Sequence, residues 1–331
     1  MTLAGLSHRR VIIVGSGHAG LSVASELARM GLVPQRDFAV IDSDCDGRRS
    51  WGYRWSSMKL LTEAGRSAVA GRHLAGDPYR HPSPREIEEH LLSVESSLRI
   101  TTTWGVRATG VQRLGDGSTL LLSTNEGQVQ TRNIVCASGS AGRPRIPSWA
   151  VETQAPGIVL HSADYRGPTQ IPAGDVLIIG AGHSGQQVAR ELSSSHRVTL
   201  SSRSPQGHSP GAGRGRWMGR QLRDGRASHS PNWEALGVTL MPAAVAVDGA
   251  HIIFEDGQRT APQSVIFATG YLPADTWLPT DVRDSPRGRG TTAVPGLFIA
   301  GMPLYSKPDA DTFDGARRDA MLIARRIMKR P

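Results

Sequence analysis

At 331 residues the chain is long enough for one large or two ordinary domains with a sizeable core. It holds only two cysteines, Cys45 and Cys136, and no C-x-x-C pair, which argues against a disulfide framework, a zinc site or a dithiol redox centre. The net charge of +9 comes from arginines that are scattered along the chain, apart from the stretch 203–226, and no nucleic-acid-binding motif organises them. We therefore predict no metal centre and no nucleic-acid partner.

The sequence carries no sign of membrane insertion or export. It has no run of about 18 apolar residues, which a membrane-spanning helix needs. The first ten residues lead directly into a strand and a glycine-rich loop, so removal of a signal peptide would destroy that loop. The sequence therefore predicts a cytoplasmic protein without a membrane partner.

The first predicted elements are a buried parallel strand, a glycine-rich loop and a helix. An apolar run at 11–14 leads into Gly15-Ser16-Gly17-His18-Ala19-Gly20, and a helical pattern follows at 21–30. In a dinucleotide-binding loop the first glycine permits the turn, the second admits the pyrophosphate, and the third lets the helix pack on the strand. The helix N–H groups would then face the phosphates. The residues assigned to this first nucleotide site are Gly15, Gly17, His18, Ala19 and Gly20.

An acid follows the next strand. The run 38–41 ends at Asp42, which lies 22 residues beyond Gly20, close to the spacing of about 20 that is typical of a ribose-binding carboxylate. Such a carboxylate accepts hydrogen bonds from ribose hydroxyls and repels a 2′-phosphate. The first site therefore suits FAD or NAD and not NADP, unless Asp42 is only a turn or helix-cap residue.

The middle of the chain predicts mixed elements and then a second loop of the same kind. We predict a helix at 85–96, a hairpin of strands 106–113 and 119–124, and a buried strand at 133–137. A second apolar run at 176–179 precedes another glycine-rich loop, and a helix is predicted from 186 to 192. The residues assigned to this second nucleotide site are Gly180, Gly182, His183, Ser184 and Gly185.

The second loop is followed by a different strand end. The run 197–202 offers hydroxyls and then Arg203 where an acid would stand, which favours a 2′-phosphate and hence NADPH. A solvated surface arginine is the alternative. Further units are the strand at 265–268, the strand-to-glycine segment 296–301 and a last helix at about 314–329. These elements predict an α/β fold with two Rossmann-like dinucleotide-binding domains. We predict that the first dinucleotide-binding domain is discontinuous (1–165 and 272–331) and that the second (166–271) is inserted in it.

With both loops in place, the chain resembles the FAD- and NADPH-dependent flavoprotein monooxygenases of the flavin-containing monooxygenase type, especially their short bacterial members. The resemblance covers nearly the whole chain. The motifs that carry it are, in order, the first glycine loop, the segment 47–62, Ala137-Ser138-Gly139 with Arg143-Pro144-Arg145-Ile146-Pro147, His161-Ser162, the second glycine loop, and Ala268-Thr269-Gly270-Tyr271.

The resemblance implies that the first, discontinuous domain binds FAD and that the inserted second domain binds NADP. It also implies further site residues. The segment 50–62 is similar to the family loop that crosses the flavin ring, although its tryptophans can instead fill core. Gly47-Arg48-Arg49 stands where the family commonly has paired glycines. Gly157, His161 and Tyr165 match a family strip that positions the cofactors, so positioning and not acid–base chemistry is expected of His161. The implied cofactor contacts are Ser50, Trp51, Arg54, Trp55, Thr62, Val106, Ser138, Gly139, His161, Thr269, Gly270, Gly301 and Met302.

The implied activity is carried by the flavin. NADPH would reduce FAD, and the reduced flavin with O2 would form a C4a-(hydro)peroxyflavin that oxygenates an N, S or C centre of a small organic substrate. Lys59 and Thr62 are the candidate catalytic side chains, and Tyr305 and Asp311 are further candidates for the substrate pocket. The alternatives are an NADPH-dependent flavin reductase, dehydrogenase or oxidase, and a non-catalytic dinucleotide sensor. The sequence is compatible with a monomer or a homodimer.

Overall fold

The structure is a computed structural model that describes residues 3–115, 117–203, 231–286 and 288–330. The arginine-rich stretch therefore lies outside the described residues beyond Arg203. The chain divides into two compact units. The first unit comprises Met1–Gly52, Lys59–Gly142 and Pro273–Pro331, and the second comprises Tyr53–Met58 and Arg143–Leu272. Within the described ranges, no helix combines the length and the apolarity that a membrane span needs.

The elements have the following bounds. The α-helices are α1 (His18–Arg29), α2 (Pro84–Ser97), α3 (His183–Leu192), α4 (Thr280–Asp284) and α5 (Phe313–Lys329). The strands are β1 (Val11–Val14), β2 (Phe38–Ile41), β3 (Ala108–Leu114), β4 (Thr119–Thr124), β5 (Gly127–Thr131), β6 (Asn133–Cys136), β7 (Arg143–Pro144), β8 (Val159–His161), β9 (Asp175–Ile179), β10 (Arg197–Ser201), β11 (Thr239–Met241), β12 (Ala244–Asp248), β13 (His251–Phe254), β14 (Arg259–Thr260), β15 (Ser264–Phe267), β16 (Tyr271–Leu272) and β17 (Leu297–Ile299). Short 3₁₀ helices lie at Leu3–Leu6, Ala64–Arg66, Ser148–Ala150, Pro168–Gln170 and Pro303–Tyr305.

The first unit is built on a parallel sheet of order β17-β6-β1-β2. Val11 pairs with Phe38 of β2 and with Asn133 of β6, and all residues of these three strands are buried. Burial on both faces explains why the strands read as unbroken apolar runs. Helix α1 packs with α5, whose buried stripe includes Ala316, Ala320 and Ile323. The predicted strands at 11–14 and 38–41 are confirmed.

A separate antiparallel sheet of β3, β4 and β5 belongs to the same unit. The predicted hairpin is confirmed for β3 and β4, which pair from Leu114 and Thr119 outward. Strand β5 was absent from the sequence prediction. It buries only Val129 and Thr131, so its alternation is too short to be distinguished from a loop.

The second unit contains a five-stranded parallel sheet of order β11-β10-β9-β15-β8, with α3 following β9. Strands β12, β13 and β14 form a small sheet of their own, and β7 pairs antiparallel with β16. The two parallel sheets, each with a strand, glycine loop and helix, confirm the predicted α/β class with two Rossmann-like domains.

The compact units differ from the predicted domain boundary after residue 165. Strand β8 joins the second sheet, since Val159 pairs with Val265 and His161 with Phe267. Residues 143–165 consequently lie in the second unit, as does the short segment 53–58, which contributes Trp55 to that unit's core. Residues 143–165 precede the second glycine loop in the sequence. Strand β8 nevertheless pairs with β15, which lies about a hundred residues further along the chain.

Helix α2 begins with a full capping box. The Ser83 hydroxyl accepts from the Glu86 N–H at 3.3 Å, and the Glu86 carboxylate accepts from the Ser83 N–H at 2.8 Å. We expect Ser83→Ala to lower the free energy of unfolding by about 1 kcal/mol. Chemical denaturation measures this value.

The matched control is Ser93→Ala, an exposed position within the same helix. It should leave stability unchanged or raise it slightly, because alanine is the better helix former. Equal destabilisation by both substitutions would contradict the role of the cap.

Candidate functional site

The first glycine loop has no room for a side chain at two of its three glycines. Gly15 has a φ of +110°, and a β-carbon there would stand 2.3 Å from the Ala137 carbonyl oxygen. A β-carbon on Gly20 would stand 1.9 Å from the Gly15 carbonyl oxygen. At Gly17, by contrast, no atom of the described residues other than its neighbours in the chain lies within 4 Å of the same position. The first loop therefore has the tight turn and the close helix packing of a dinucleotide-binding loop, and the space next to its second glycine is open.

The second loop repeats this geometry. Gly180 has a φ of +108°, and its β-carbon would stand 2.4 Å from the Ala268 carbonyl oxygen. A β-carbon on Gly185 would meet the Gly180 carbonyl oxygen at 1.8 Å, whereas Gly182 faces open space among the described residues. Gly17 and Gly182 are also the N-caps of α1 and α3. Each helix therefore directs its first N–H groups toward the open space, which fits a dinucleotide diphosphate.

Asp42 is held beside the first loop. Its carboxylate accepts the Ser16 N–H at 2.7 Å and the Asp44 N–H at 3.0 Å, and the Val106 N–H donates to its carbonyl at 2.9 Å. The hydrogen bond from the Asp44 N–H closes a turn, as the alternative interpretation of Asp42 as a turn residue predicted. The bond from Ser16 additionally fixes the carboxylate against the glycine loop, where a ribose-binding acid is required.

Two further strand ends meet this loop. Gly139, after β6, has a φ of +98°, and the Ser138 hydroxyl donates to the Ala274 carbonyl at 2.6 Å. Gly301, after β17, has a φ of +73°, and a β-carbon on it would stand 2.5 Å from that of Ala19. Met302 is buried. The residues assigned to the first site from three separate parts of the sequence thus gather at the carboxyl edge of one sheet.

Aromatic rings border the start of α1. The His18 and Phe313 rings lie 4.7 Å apart, and the Trp51 and Phe313 rings lie 6.4 Å apart at 25°. Burial lowers the pKa of His18 to about 4, although a hydrogen bond with the Asp311 backbone opposes this shift. His18 is therefore neutral at pH 7. Sequence analysis did not identify Phe313; its position directly after the Thr312 cap of the last helix is the only local signal.

Arg49 belongs to the segment Gly47-Arg48-Arg49, where the resemblance expects paired glycines. It has the left-handed φ of +58° that glycine favours, yet its side chain is almost fully buried. Its Nε donates to the Ser16 carbonyl at 2.9 Å, and its Nη2 pairs with the Glu95 carboxylate. Its guanidinium carbon lies 5.0 Å from the Trp104 ring centroid. The sequence prediction included none of Arg49, Glu95 and Trp104 among the site residues.

His161 in the second unit uses both ring nitrogens. The Ala163 N–H donates to Nδ1 at 3.1 Å, so the proton resides on Nε2, which donates to the Gly270 carbonyl at 3.1 Å. Burial lowers the pKa of His161, and the charge of Arg54 acts in the same direction. The imidazole is therefore neutral and held by backbone on both sides, which favours positioning over proton transfer.

Tyr271 connects His161 with Arg54. The two rings of His161 and Tyr271 meet edge to face at 5.0 Å, and Arg54 donates to the Tyr271 hydroxyl at 2.6 Å. In the same unit the Thr269 hydroxyl donates to the Arg145 carbonyl, and Gly270 has a φ of +88°. These contacts arrange the strand ends of the second sheet next to its glycine loop.

Other predicted residues have these locations. His183 and Ser184 begin α3, and Arg203 is exposed two residues beyond the end of β10. Ser50 and Lys59 are exposed in the first unit, where Thr62 is half-buried. Trp55 is 1% exposed, and its ring meets that of Tyr165 edge to face at 5.8 Å. It therefore fills core, which was the alternative interpretation of this tryptophan.

The interpretation of Tyr305 as a pocket residue is wrong. Its side chain is fully buried, and its hydroxyl donates to the Asp275 carboxylate at 2.7 Å. The 3₁₀ turn at Pro303–Tyr305 directs the ring into the core of the first unit.

Comparisons with known proteins agree with this geometry. Residues 12–301 match the family model described as pyridine nucleotide-disulphide oxidoreductase. The uncharacterized oxidoreductase CzcO of Bacillus velezensis is 27% identical over 349 aligned positions, which cover 96% of this chain and 98% of that protein. The trimethylamine monooxygenase of Roseovarius nubinhibens is 26% identical over 180 residues, covering 51% of this chain and 36% of that protein.

One solved structure is similar to this chain over nearly the full length of both proteins. The flavin-containing monooxygenase from Stenotrophomonas maltophilia superposes with a TM-score of 0.81 at 25% identity, covering 97% of this chain and 98% of that one. The resemblance to flavoprotein monooxygenases is thus confirmed, and the protein is an oxidoreductase. Because the family model spans most of its length, the chain belongs to the pyridine nucleotide-disulphide oxidoreductases, a family of flavin- and nicotinamide-binding enzymes.

Proposed function

We propose that the protein is an FAD-dependent monooxygenase that uses NADPH and O2 to oxygenate a small organic substrate at an N, S or C centre. The observation that carries this proposal is the pair of glycine loops with the same backbone geometry and different neighbours. Asp42 is fixed against the first loop, and Arg203 follows the strand beside the second. The first therefore suits the unphosphorylated riboses of FAD, and the second suits the 2′-phosphate of NADPH.

The cysteines support oxygenation over reduction of a disulfide by a protein dithiol. The chain has only Cys45 and Cys136, which lie in different environments. Burial raises the pKa of the Cys136 thiol to about 11, so little thiolate exists near neutral pH. The likeness to a flavin-containing monooxygenase over nearly the full length of both chains also favours oxygenation.

The protein's own residues would bind and orient the cofactors. The N–H groups at the start of α1 and the Asp42 carboxylate would hold the diphosphate and ribose of FAD, and Gly301 permits close approach at the end of β17. His161 would fix the strand ends beside the second loop. When bound, FAD supplies hydride acceptance and O2 activation, so no protein nucleophile or metal is needed for the chemistry.

The main test follows NADPH consumption by the purified, flavin-loaded protein with a panel of amines, thioethers and ketones. We expect at least one substrate class to yield about one oxygenated product per NADPH consumed, because the reducing equivalents pass to O2 and the substrate together. Hydrogen peroxide is quantified in parallel. Full conversion of NADPH to peroxide with every class would favour an oxidase, and NADPH consumption without O2 uptake would favour a reductase. A protein that takes up no flavin when FAD is added would exclude all of these activities.

The cofactor assignment is tested by a crossed pair of substitutions. Gly17 and Gly182 both have extended backbone and open space for a β-carbon, so alanine fits without strain at either position. We expect Gly17→Ala to weaken FAD binding by roughly tenfold or more and to leave NADPH binding intact, because the methyl group occupies the diphosphate position of one loop only. Gly182→Ala should do the reverse. Fluorescence titration of each ligand measures both constants, and an exchange of the two effects would reverse the assignment.

The positioning role of His161 predicts a specific pH behaviour. The pKa of His161 in the folded protein lies below the ordinary value of about 6.5. The hydrogen bonds of the neutral imidazole therefore contribute fully to stability above that pH, and their contribution is lost as the pH falls below it. His161→Asn keeps an oxygen for the Ala163 N–H and loses the donor to Gly270. We expect kcat to fall by about tenfold or less, without loss of either limb of the pH–rate profile. Disappearance of a limb in the variant would establish acid–base chemistry instead.

A further inference from the structure

The strongest unexplained feature of the first unit is the buried guanidinium of Arg49. A non-glycine residue in the left-handed region is strained, and a charged side chain loses its hydration when it is buried. Arg49 combines both, since its φ is +58° and its exposure is 2%. A turn alone would be more stable with glycine at this position. Something in this part of the molecule must therefore use the guanidinium.

The contacts of Arg49 hold it against the glycine loop. Its Nε–H donates to the carbonyl of Ser16, which lies between Gly15 and Gly17, while Glu95 of α2 accepts from Nη2. Glu95 is itself fixed, since Thr102 donates its N–H to the carboxylate at 3.2 Å and its hydroxyl also donates. The guanidinium therefore has one orientation, next to the site at which α1 begins.

Three buried polar atoms at this place lack a hydrogen-bond partner among the described residues. They are Nη1 of Arg49, Oγ of Ser16 and Nε2 of His18. A buried donor without an acceptor is unfavourable, and a charged one especially so. Ser16 and His18 flank Gly17, above which the space is open, and Arg49 is bonded to Ser16. An anion with several oxygens at this position can accept from Nη1 of Arg49 and from the Ser16 hydroxyl, whereas the neutral His18 already donates to the Asp311 backbone.

Among the described residues, the second loop has a different arrangement. Ala181 stands there in the place of Ser16, and its carbonyl accepts from the neutral Gln186 amide at 2.9 Å. The corresponding carbonyl of the first loop accepts from a cation. The cation also offsets the negative charges of Asp42 and Glu95, which would otherwise repel an anionic ligand at the first loop.

We propose that Arg49 is a diphosphate-binding residue of the first glycine loop, with Nη1 donating to the dinucleotide and Glu95 and Ser16 holding the guanidinium in place. The proposal rests on the proposed function in that it takes FAD as the ligand of this loop. Binding involves no bond formation or electron transfer. The strain and the unpaired donor belong to the free protein, and the ligand's phosphate oxygens relieve the second of these.

The experiment measures the dissociation constant of FAD for the full-length protein after removal of its flavin. Arg49→Gly places the residue that the backbone angle favours, and Arg49→Gly with Glu95→Gln removes both charges of the buried pair so that no carboxylate is left unpaired. We expect the dissociation constant to rise about ten- to a hundredfold in both variants, as for loss of one hydrogen bond to a charged group. The ³¹P resonances of bound FAD should also shift in these variants, because the phosphate loses a direct donor.

The matched control is Arg48→Gly, which removes the same charge from the neighbouring, exposed residue. It should leave both the FAD affinity and the ³¹P resonances close to those of the original protein. NADPH affinity should be unaffected in all variants, and chemical denaturation establishes that the double variant remains folded.

The outcomes separate this proposal from the proposed function. FAD affinities that match the Arg48→Gly control would overturn the role of Arg49 and leave the monooxygenase proposal standing. Weakened binding with unchanged ³¹P resonances would also overturn it, because Arg49 would then only support the loop. Full Arg49 effects in a protein that produces only peroxide would support this inference and refute oxygenation. Failure of the original protein to bind FAD would overturn both.

Discussion

The contact on which both units depend is one of backbone against backbone. In each glycine loop the carbonyl oxygen of the first glycine fills the place where a β-carbon of the third would stand, at 1.9 Å in one loop and 1.8 Å in the other. Only glycine allows the helix to begin this close to the strand. This approach directs the helix N–H groups at the open space above the middle glycine. Every further residue of either site is useful only because that space exists.

Since the two loops have the same backbone, their difference must come from what surrounds them. The first is enclosed by Asp42, Arg49 and the rings of Trp51 and Phe313. The second has a neutral amide on its loop carbonyl and an arginine at the end of the adjacent strand. On the proposed assignment of FAD and NADPH, electrostatics and not backbone geometry therefore distinguish the two dinucleotides. One supersecondary unit used twice can in this way bind two ligands that share a diphosphate and differ at the ribose.

What the sequence predicts well is what local chemistry determines. The runs at 11–14 and 176–179 are continuous and apolar because both sheet faces are covered, and the glycine spacing follows from the turn itself. The boundary near 143–165 depends on pairing of β8 with β15, and the burial of Tyr305 depends on Asp275. Arg49 reads as a surface arginine until its contact with Ser16 is known. Such features arise from contacts between distant parts of the chain, which no local pattern reports.

A buried ion pair is by itself weak evidence for stability, because the loss of hydration offsets the attraction between the charges. Arg49 and Glu95 form such a pair, and the left-handed backbone of Arg49 and its unpaired Nη1 add two further unfavourable contributions at the same residue. Three costs at one position are not what folding alone would select, since glycine would avoid all of them. The free protein thus has a buried charged donor without a partner among the described residues beside its first dinucleotide loop, and an anion that accepts from the guanidinium would supply that partner. In its proposed role, Arg49 lowers the stability of the free protein and raises the affinity of the first loop for its ligand.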